Sequence, residues 1–388
     1  MQSLGIDLIA AARPNFMKVA PLYHALHGQP WCRLRLVHTG QHYDANMSDA
    51  FFRDLGLPSP DLHLGVGSGS HAEQTANVML AYERACVAER PDLCIVVGDV
   101  NSTVACALVA SKLWIPVAHL EAGLRSGDRS MPEEINRLVT DTLADILWTP
   151  SPDGDEHLVA EGVAPEKITR VGNIMIDSYE LMKDRIHASG QRQRLHLDRT
   201  DYGVVTLHRP SNVDTRAPLA ALVAQLTRIA AKLPLVFPVH PRTRKNLEAF
   251  GLWHEVADAP GVRIAEPLGY VDFMNLVCGA RLVVTDSGGV QEETTYLGIP
   301  CLTLRPNTER PITITEGTNR LVTAANLAST VDDILAGHSA HGRKPELWDG
   351  RTAQRVVADI HRRLLDAAPG RSDTGDAVAV GNSRVAHA

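Results

Sequence analysis

Short, almost uninterrupted apolar runs, each ending in small or polar residues and followed by a longer helical pattern, constrain this chain more than any other feature. One series is Leu4–Ala10, Leu34–Thr39, Leu93–Gly98, Pro116–Leu120 and Asp145–Pro150. A second is Tyr202–His208, Leu233–His240, Val262–Glu266, Leu282–Ser287 and Pro300–Arg305. A strand with one face in water alternates apolar and polar residues. A continuous run fits a strand buried on both faces, as in a parallel sheet covered by helices. Segments such as MKVAPLYHALHG and HAEQTANVMLAYERACVAE supply the helices. The alternation, occurring twice, predicts an α/β chain of two Rossmann-like doubly wound domains. Length agrees, since 388 residues exceed what one core usually serves. The polar stretch between Val171 and Thr200 lacks strand signal and holds the boundary, giving domains over 1–175 and 176–350. A helix over 351–366 and a small, polar, disordered tail over 367–388 complete the expected organisation.

Composition narrows the partners. Thirty-eight Lys and Arg against 45 Asp and Glu leave a net charge of −7, which argues against a nucleic-acid or anionic-membrane surface. No stretch reaches the roughly 20 apolar residues of a membrane helix, and the N-terminus, with Asp7 in its apolar part, does not read as a signal peptide. A cytoplasmic location is expected. Cys32, Cys86, Cys94, Cys106, Cys278 and Cys301 are scattered without C-x-x-C spacing, and the 17 His include no H-E-x-x-H, so no metal is expected.

In open parallel sheets ligands bind beyond the carboxyl ends of the strands. Arg13 and Lys18 flank a helix start after the first strand, where they form either an anion site or two solvated charges. Asp99 follows the strand LCIVV and is either a helix cap or, if Asn101, Ser102 or Thr103 caps, free for chemistry. Glu121 ends a strand, while Glu133 and Arg137 are spaced i, i+4 for a helix ion pair. Carboxylates in unlike settings suit acid/base work, although helix ion pairs are also common. His208, beside Arg209 at another strand end, is a proton shuttle, a phosphate ligand or a structural His. Ser287-Gly288-Gly289 runs from a buried strand into a helix, the pattern of a phosphate cradle, with Glu293 placed to reach ribose hydroxyls. Arg310 joins the same rim after the next strand.

Taken in order, RPNFMKVAPL, TGQHYD, GDVNST, HLEAGLRSGD, PEEINR, TLHRPSNVD, PVHPRT, TDSGGVQEE and TERP closely resemble the non-hydrolysing UDP-N-acetylglucosamine 2-epimerases, from about Leu8 to Val322. The resemblance implies the two-domain GT-B fold with the active site in the interdomain cleft, and a C-terminal helix returning to the first domain. It implies interconversion of UDP-GlcNAc and UDP-ManNAc without NAD or a required metal, by elimination of UDP to a 2-acetamidoglucal and re-addition. Asp99, Glu121, Glu133 and His208 match the family's catalytic set, and Arg13, Lys18, Arg137, His240 and Arg310 match cleft residues. Ser287, Gly288 and Gly289 match the diphosphate turn, Glu293 the ribose contact and Phe273 the uracil contact. Gln41 and His42 match part of a second UDP-GlcNAc site that activates many bacterial members, and a homodimer is implied. The chain departs from the family pattern at Ala11-Ala12 (usually Gly-Thr), Asn15 (usually Glu) and His208-Arg209-Pro210-Ser211 (usually His-Arg-Arg-Glu). Pro210 removes one expected activator contact. The competing readings are an epimerase of a modified UDP-HexNAc, a hydrolysing epimerase releasing free ManNAc, a GT-B glycosyltransferase and a catalytically silent UDP-sugar binder.

Overall fold

The computed structural model describes residues 3–11, 13–40, 55–197, 200–338 and 342–366, without the side chains of Arg13 and Pro14. Gln41, His42 and the tail beyond residue 366 lie outside the described residues. The strands are β1 (Leu4–Ala10), β2 (Cys32–His38), β3 (Leu62–His63), β4 (Leu93–Val97), β5 (Val117–Leu120), β6 (Ile146–Thr149) and β7 (Ile168–Arg170) in the first half. In the second half they are β8 (Gly203–Thr206), β9 (Leu235–Pro238), β10 (Val262–Ala265), β11 (Leu282–Thr285), β12 (Cys301–Thr303) and β13 (Asn319–Leu321). They form two parallel sheets, in the orders β3-β2-β1-β4-β5-β6-β7 and β10-β9-β8-β11-β12-β13. Both orders follow the doubly wound rule, in which the chain reverses direction across the sheet at a central pair: β1 beside β4, and β8 beside β11. Loops diverge there and leave a crevice at the carboxyl ends.

The apolar runs became strands for the expected reason. Every residue of β4, β5 and β6 is buried, and so is every residue of β1 but Leu4. Ile6, Leu8, Leu93 and Ile95 pack with Trp148 on one face of the first sheet, while Ile9, Cys94 and Val96 pack with Tyr82 on the other. Each such burial contributes about 1.5–3 kcal/mol. Cys86, Cys94 and Cys106 belong to this core, and in the second sheet burial pushes the Cys301 thiol up to about 11. The edge strands β3, β7 and β13 have no counterpart in the sequence reading. They are only Leu-His, Ile-Thr-Arg and Asn-Arg-Leu, partly exposed and too short to show a run. β2 begins two residues earlier than expected because Cys32 and Arg33 pair with Leu4 and Gly5. β4 stops at Val97 because Gly98 turns the chain at φ +70°.

Between the sheets lies a helix, Ile174–Ala188, whose Ser178 hydroxyl donates to the Met17 carbonyl. The last α-helix, Thr352–His361, continues as a π turn to Asp366. Its start is capped by Asp177, which accepts the N–H groups of Thr352 (3.0 Å) and Ala353 (2.8 Å). Asp359 then accepts the buried Trp148 indole N–H at 2.8 Å and the Thr169 hydroxyl at 3.3 Å, tying this helix to the first sheet. Among the described residues no helix is long and apolar enough to cross a membrane.

Replacing Asp359 with Ala leaves the Trp148 N–H buried without an acceptor. We expect a loss of about 1–3 kcal/mol in chemical denaturation. An unchanged midpoint would show that this contact does not hold the C-terminal helix.

Candidate active site between two strand-end crevices

Asn15, at the start of the helix Arg13–His27, joins the ends of β1 and β4. Its Oδ1 accepts the Ala11 N–H at 3.0 Å and its Nδ2 donates to the Val97 carbonyl at 2.8 Å. The Asn that departs from the family pattern therefore has a structural job. One turn on, Lys18 forms an ion pair with Glu121, both nearly out of water. Glu121 holds a φ of +73°, a left-handed conformation that costs a non-glycine residue roughly 1–2 kcal/mol. Beneath the pair, a Cβ on Gly98 would sit 3.3 Å from Lys18 Nζ and 3.4 Å from Glu121 Oε2, so this position suits glycine for both space and backbone.

Asp99 follows. It does not cap the next helix, Asn101–Lys112, which has no side-chain cap at all: Asn101 bonds His71 and Gln74, and Thr103 bonds the Val97 carbonyl. Instead Asp99 Oδ2 accepts Arg137 Nε at 3.0 Å and Nη2 at 2.6 Å. The i, i+4 spacing of Glu133 and Arg137 misled the sequence reading. Arg137 donates its remaining Nη1 to Glu134 at 2.6 Å, because the backbone N–H groups of Ser126 (3.0 Å) and Gly127 (2.9 Å) also draw the Glu134 carboxylate inward. Glu133 is left half-buried and acts electrostatically on Arg209.

Charges at this floor sustain one another. Burial alone would lower the Lys18 ammonium, but Glu121 and then Asp99 raise it above its ordinary value against the opposition of Arg310. Burial would likewise raise Asp99, yet Arg137, Lys18 and Arg310 hold it below the usual carboxylate value. Lys18 is thus held as the ammonium and Asp99 as the carboxylate at neutral pH.

The second crevice lies between β8 and β11. His208 Nδ1 lies 2.9 Å from Oδ1 of Asp286, which is fully buried at the end of β11. Asp286 also accepts the backbone N–H groups of His208 and Arg209 and the Asn212 amide. Burial pushes Asp286 up, but His208, Asn212 and the Arg209 N–H hold it below its ordinary value. The His208 and His240 rings lie 5.7 Å apart, and burial followed by the His208 charge lowers His240. The residue after Asp286, Ser287, precedes the helix Gly288–Leu297, whose first N–H groups face the crevice without side-chain caps. A Cβ on Gly288 would meet Glu309 Oε1 at 3.0 Å and Arg310 Nη1 at 3.2 Å; Gly289 is open except for Met175 at 3.9 Å. Glu293, a turn further in, is buried. Burial pushes its carboxyl up to about 8, with Tyr270 opposing and Glu292 adding to the rise. Phe273 lies one helical turn beyond Tyr270, half-buried against the core.

The two crevices face each other. Arg310, from the second sheet, binds Glu292 (2.7 Å) and Glu309 (2.7 Å) and still acts electrostatically on Lys18 and Asp99. Asn173 reaches across to donate to Glu292 at 2.8 Å, and Asn307 donates to the Ser126 carbonyl at 3.2 Å. Lys18, Asp99, Glu121 and Arg137 therefore converge in the first lobe. His208, His240, Ser287, Gly288, Gly289, Glu293 and Arg310 converge in the second. Arg13 contributes only its place at the helix start, its side chain lying outside the described residues together with Gln41 and His42. Sequence reasoning missed Glu134, Asp286 and Glu292. A carboxylate directly before the Ser-Gly-Gly turn was the available signal for Asp286, and i, i+3 spacing to Arg137 was the signal for Glu134.

A family model described as UDP-N-acetylglucosamine 2-epimerase matches residues 24–361. The UDP-N-acetylglucosamine 2-epimerase of Methanocaldococcus jannaschii is 39% identical over 362 residues, covering 91% of this chain and 97% of that protein. A crystal structure of the M. jannaschii UDP-GlcNAc 2-epimerase in complex with UDP-GlcNAc and UDP superposes with a TM-score of 0.82 at 38% identity, over 92% of this chain and 99% of that one. The UDP-2,3-diacetamido-2,3-dideoxy-D-glucuronate 2-epimerase of Pseudomonas aeruginosa is 41% identical over 321 residues, covering 82% of this chain and 88% of that protein. With its two facing Rossmann-like lobes of GT-B type, the chain belongs to the UDP-N-acetylglucosamine 2-epimerase family of isomerases.

Proposed function

We propose that this chain inverts C2 of UDP-GlcNAc to give UDP-ManNAc, and the reverse, without hydrolysing the nucleotide sugar. The observation that carries the reading is the convergence of the paired Asp99–Arg137 and Glu121–Lys18 floor with a Ser-Gly-Gly helix start across the cleft. A C2 proton is too weakly acidic to exchange unaided. If the C1–O bond breaks as the C2 proton is taken, the electron pair of the C2–H bond becomes the C1=C2 bond. The pair of the breaking C1–O bond leaves on the diphosphate. UDP and a 2-acetamidoglucal then share the cleft. Protonation at C2 from the opposite face, with the diphosphate oxygen re-forming the bond to C1, gives the epimer. Carboxylates and His are needed at the sugar, and cations with helix N–H groups at the leaving group.

On this reading Asp99, Glu121, Glu133 and His208 handle the protons, with Arg137 paired to Asp99 and Lys18 to Glu121. Ser287, Gly288, Gly289 and Arg310 hold the diphosphate, with Arg13 and His240 lining the cleft. Glu293 takes the ribose hydroxyls and Phe273 lies against the uracil. Residues 1–175 form the sugar-side domain and 176–350 the UDP-side domain, with 351–366 returning to the first. The likeness to the P. aeruginosa enzyme supports a second substrate reading, in which the sugar is a modified UDP-HexNAc undergoing the same C2 chemistry. We further propose a cytoplasmic homodimer that needs no cofactor.

Proton NMR with UDP-GlcNAc in D2O should show UDP-ManNAc carrying deuterium at C2. Free ManNAc with UDP would replace this reading by hydrolysis, and an inert UDP-GlcNAc with a reactive modified UDP-HexNAc would move the substrate. Asp99→Asn should cut kcat by roughly a hundredfold to ten-thousandfold while UDP affinity holds; wild-type turnover would remove Asp99 from the mechanism. Because Glu293 retains its proton at neutral pH, ribose hydroxyls that donate to it favour the carboxylate and expel that proton. UDP binding at neutral pH should therefore release a proton, and affinity should rise with pH until it levels near about 8. Calorimetry in buffers of different ionisation heat measures this, and equal apparent heats would exclude the ribose contact.

A further inference from the structure

Behind the Lys18–Glu121 pair lies a second set of charges that the proposed chemistry does not use. His119, in β5, is completely buried. Its Nδ1 is 2.6 Å from Asp141 Oδ1 and its Nε2 is 2.8 Å from the Gly98 carbonyl oxygen. Asp141 Oδ2 accepts the Gly123 N–H at 3.0 Å and pairs with Arg125 at 2.7 Å. Arg125 in turn donates to Glu161 at 2.8 and 2.6 Å.

The protons follow from this pattern. Burial would raise Asp141, but His119, the Arg125 guanidinium and the Gly123 N–H hold it below its ordinary value, so it is a carboxylate and can only accept from the imidazole. A backbone carbonyl also can only accept. Both ring nitrogens of His119 therefore need an N–H, which makes the ring an imidazolium. A neutral ring would leave either Asp141 or the Gly98 oxygen facing a lone pair, out of reach of water.

The two anchor points bracket the acid/base floor. Gly98, whose carbonyl His119 holds, supports the Lys18–Glu121 pair from below and is followed directly by Asp99. Gly123, whose N–H Asp141 holds, lies two residues beyond the strained Glu121, at φ +78°, and a Cβ there would lie 2.3 Å from the Gly154 carbonyl oxygen. One buried cation thus fixes the turn carrying Asp99, and its carboxylate partner fixes the turn carrying Glu121. Three buried charges cost several kcal/mol to remove from water, and an apolar residue at position 119 would pack as well while holding neither turn.

We propose that His119 is a positioning residue: a buried imidazolium, clamped by Asp141 and Arg125, whose Nε2–H sets the Gly98–Asp99 turn and so the geometry of the acid/base pair. The proposal rests on Asp99 and Glu121 acting on the sugar, but the state of the ring can be read without turnover.

Two substitutions separate the bonds. His119→Asn places its amide where Nδ1 was, keeping Asp141 and releasing Gly98. His119→Gln places its amide where Nε2 was, keeping Gly98 and releasing Asp141. We expect His119→Asn to lose roughly a hundredfold in kcat with little change in KM, the scale of a small misplacement of a catalytic group. We expect His119→Gln to lose only a few-fold, even where its Tm falls as far. Equal loss in the two variants, following Tm, would make His119 merely structural. In the unmodified protein, long-range 1H–15N spectra at neutral pH should show a proton on each His119 nitrogen. A single protonated nitrogen would overturn the imidazolium even if both variants failed to fold. An active site that turns over no UDP-sugar would sink the proposed function while leaving this spectrum as the test of the clamp.

Discussion

Everything in the cleft depends on keeping Lys18 and Glu121 together out of water. Removing two ions from water costs several kcal/mol each unless their geometry is close and their remaining valences are met. Here the geometry depends on Gly98, where any side chain would crowd both partners, and on a left-handed backbone at Glu121. Neither condition is favourable locally. They persist because β4 and β5, which deliver the two residues, are wholly buried and register-locked beside each other, Val97 opposite Leu120. The apolar runs that make the sheet are therefore also what makes the strained site possible.

Across the cleft the logic is reversed. Arg310 is buried between Glu292 and Glu309, and those carboxylates hold it charged despite desolvation. Its field reaches Lys18 and Asp99, so cations of one lobe adjust the carboxylates of the other. Arg209 adds to this field. Burial and the neighbouring Arg305 lower its guanidinium, with Glu309, Asp286 and Glu133 opposing. An arriving diphosphate would relieve such crowding of like charges, and on the proposed chemistry its negative charge grows as the C1–O bond breaks. Anion binding and leaving-group stabilisation would then come from the same cluster.

The sequence carried the central strands well because two-sided burial writes itself as apolar runs: β1 was read at its observed bounds, Leu4–Ala10. It carried the edges poorly, because Ile168–Arg170 and Asn319–Leu321 have one neighbour each and need no apolar run. Site residues at strand ends were visible for a related reason. Asp99, Glu121, His208 and Ser287 interrupt or end apolar runs, where a polar group is costly unless it has work to do. What the sequence could not show was pairing at a distance. Arg137 has carboxylates at both i−4 and i−3, and the choice of Glu134 over Glu133 was made by the Ser126 and Gly127 N–H groups, which only the folded loop presents. Asp286 behind His208, and Asp141 behind His119, are likewise contacts between different elements that no local spacing encodes.

Two relatives of similar identity bear names whose sugars differ at C3 and C6 yet share the 2-epimerase reaction. This division maps onto physical demands. Breaking the C1–O bond and moving the C2 proton need charges fixed to within a fraction of an ångström, which rigid strand ends and buried ion sets can supply. Accommodating a substituent at C3 or C6 needs only room and a compatible partner at the cleft rim. In this chain Asp99 is paired with Arg137, Glu121 with Lys18, and His208 with Asp286. At the rim, Arg209 is half-exposed, with its backbone N–H held by Asp286. Invariant chemistry at C1 and C2 beside an adaptable sugar rim is what this distribution of rigidity would produce.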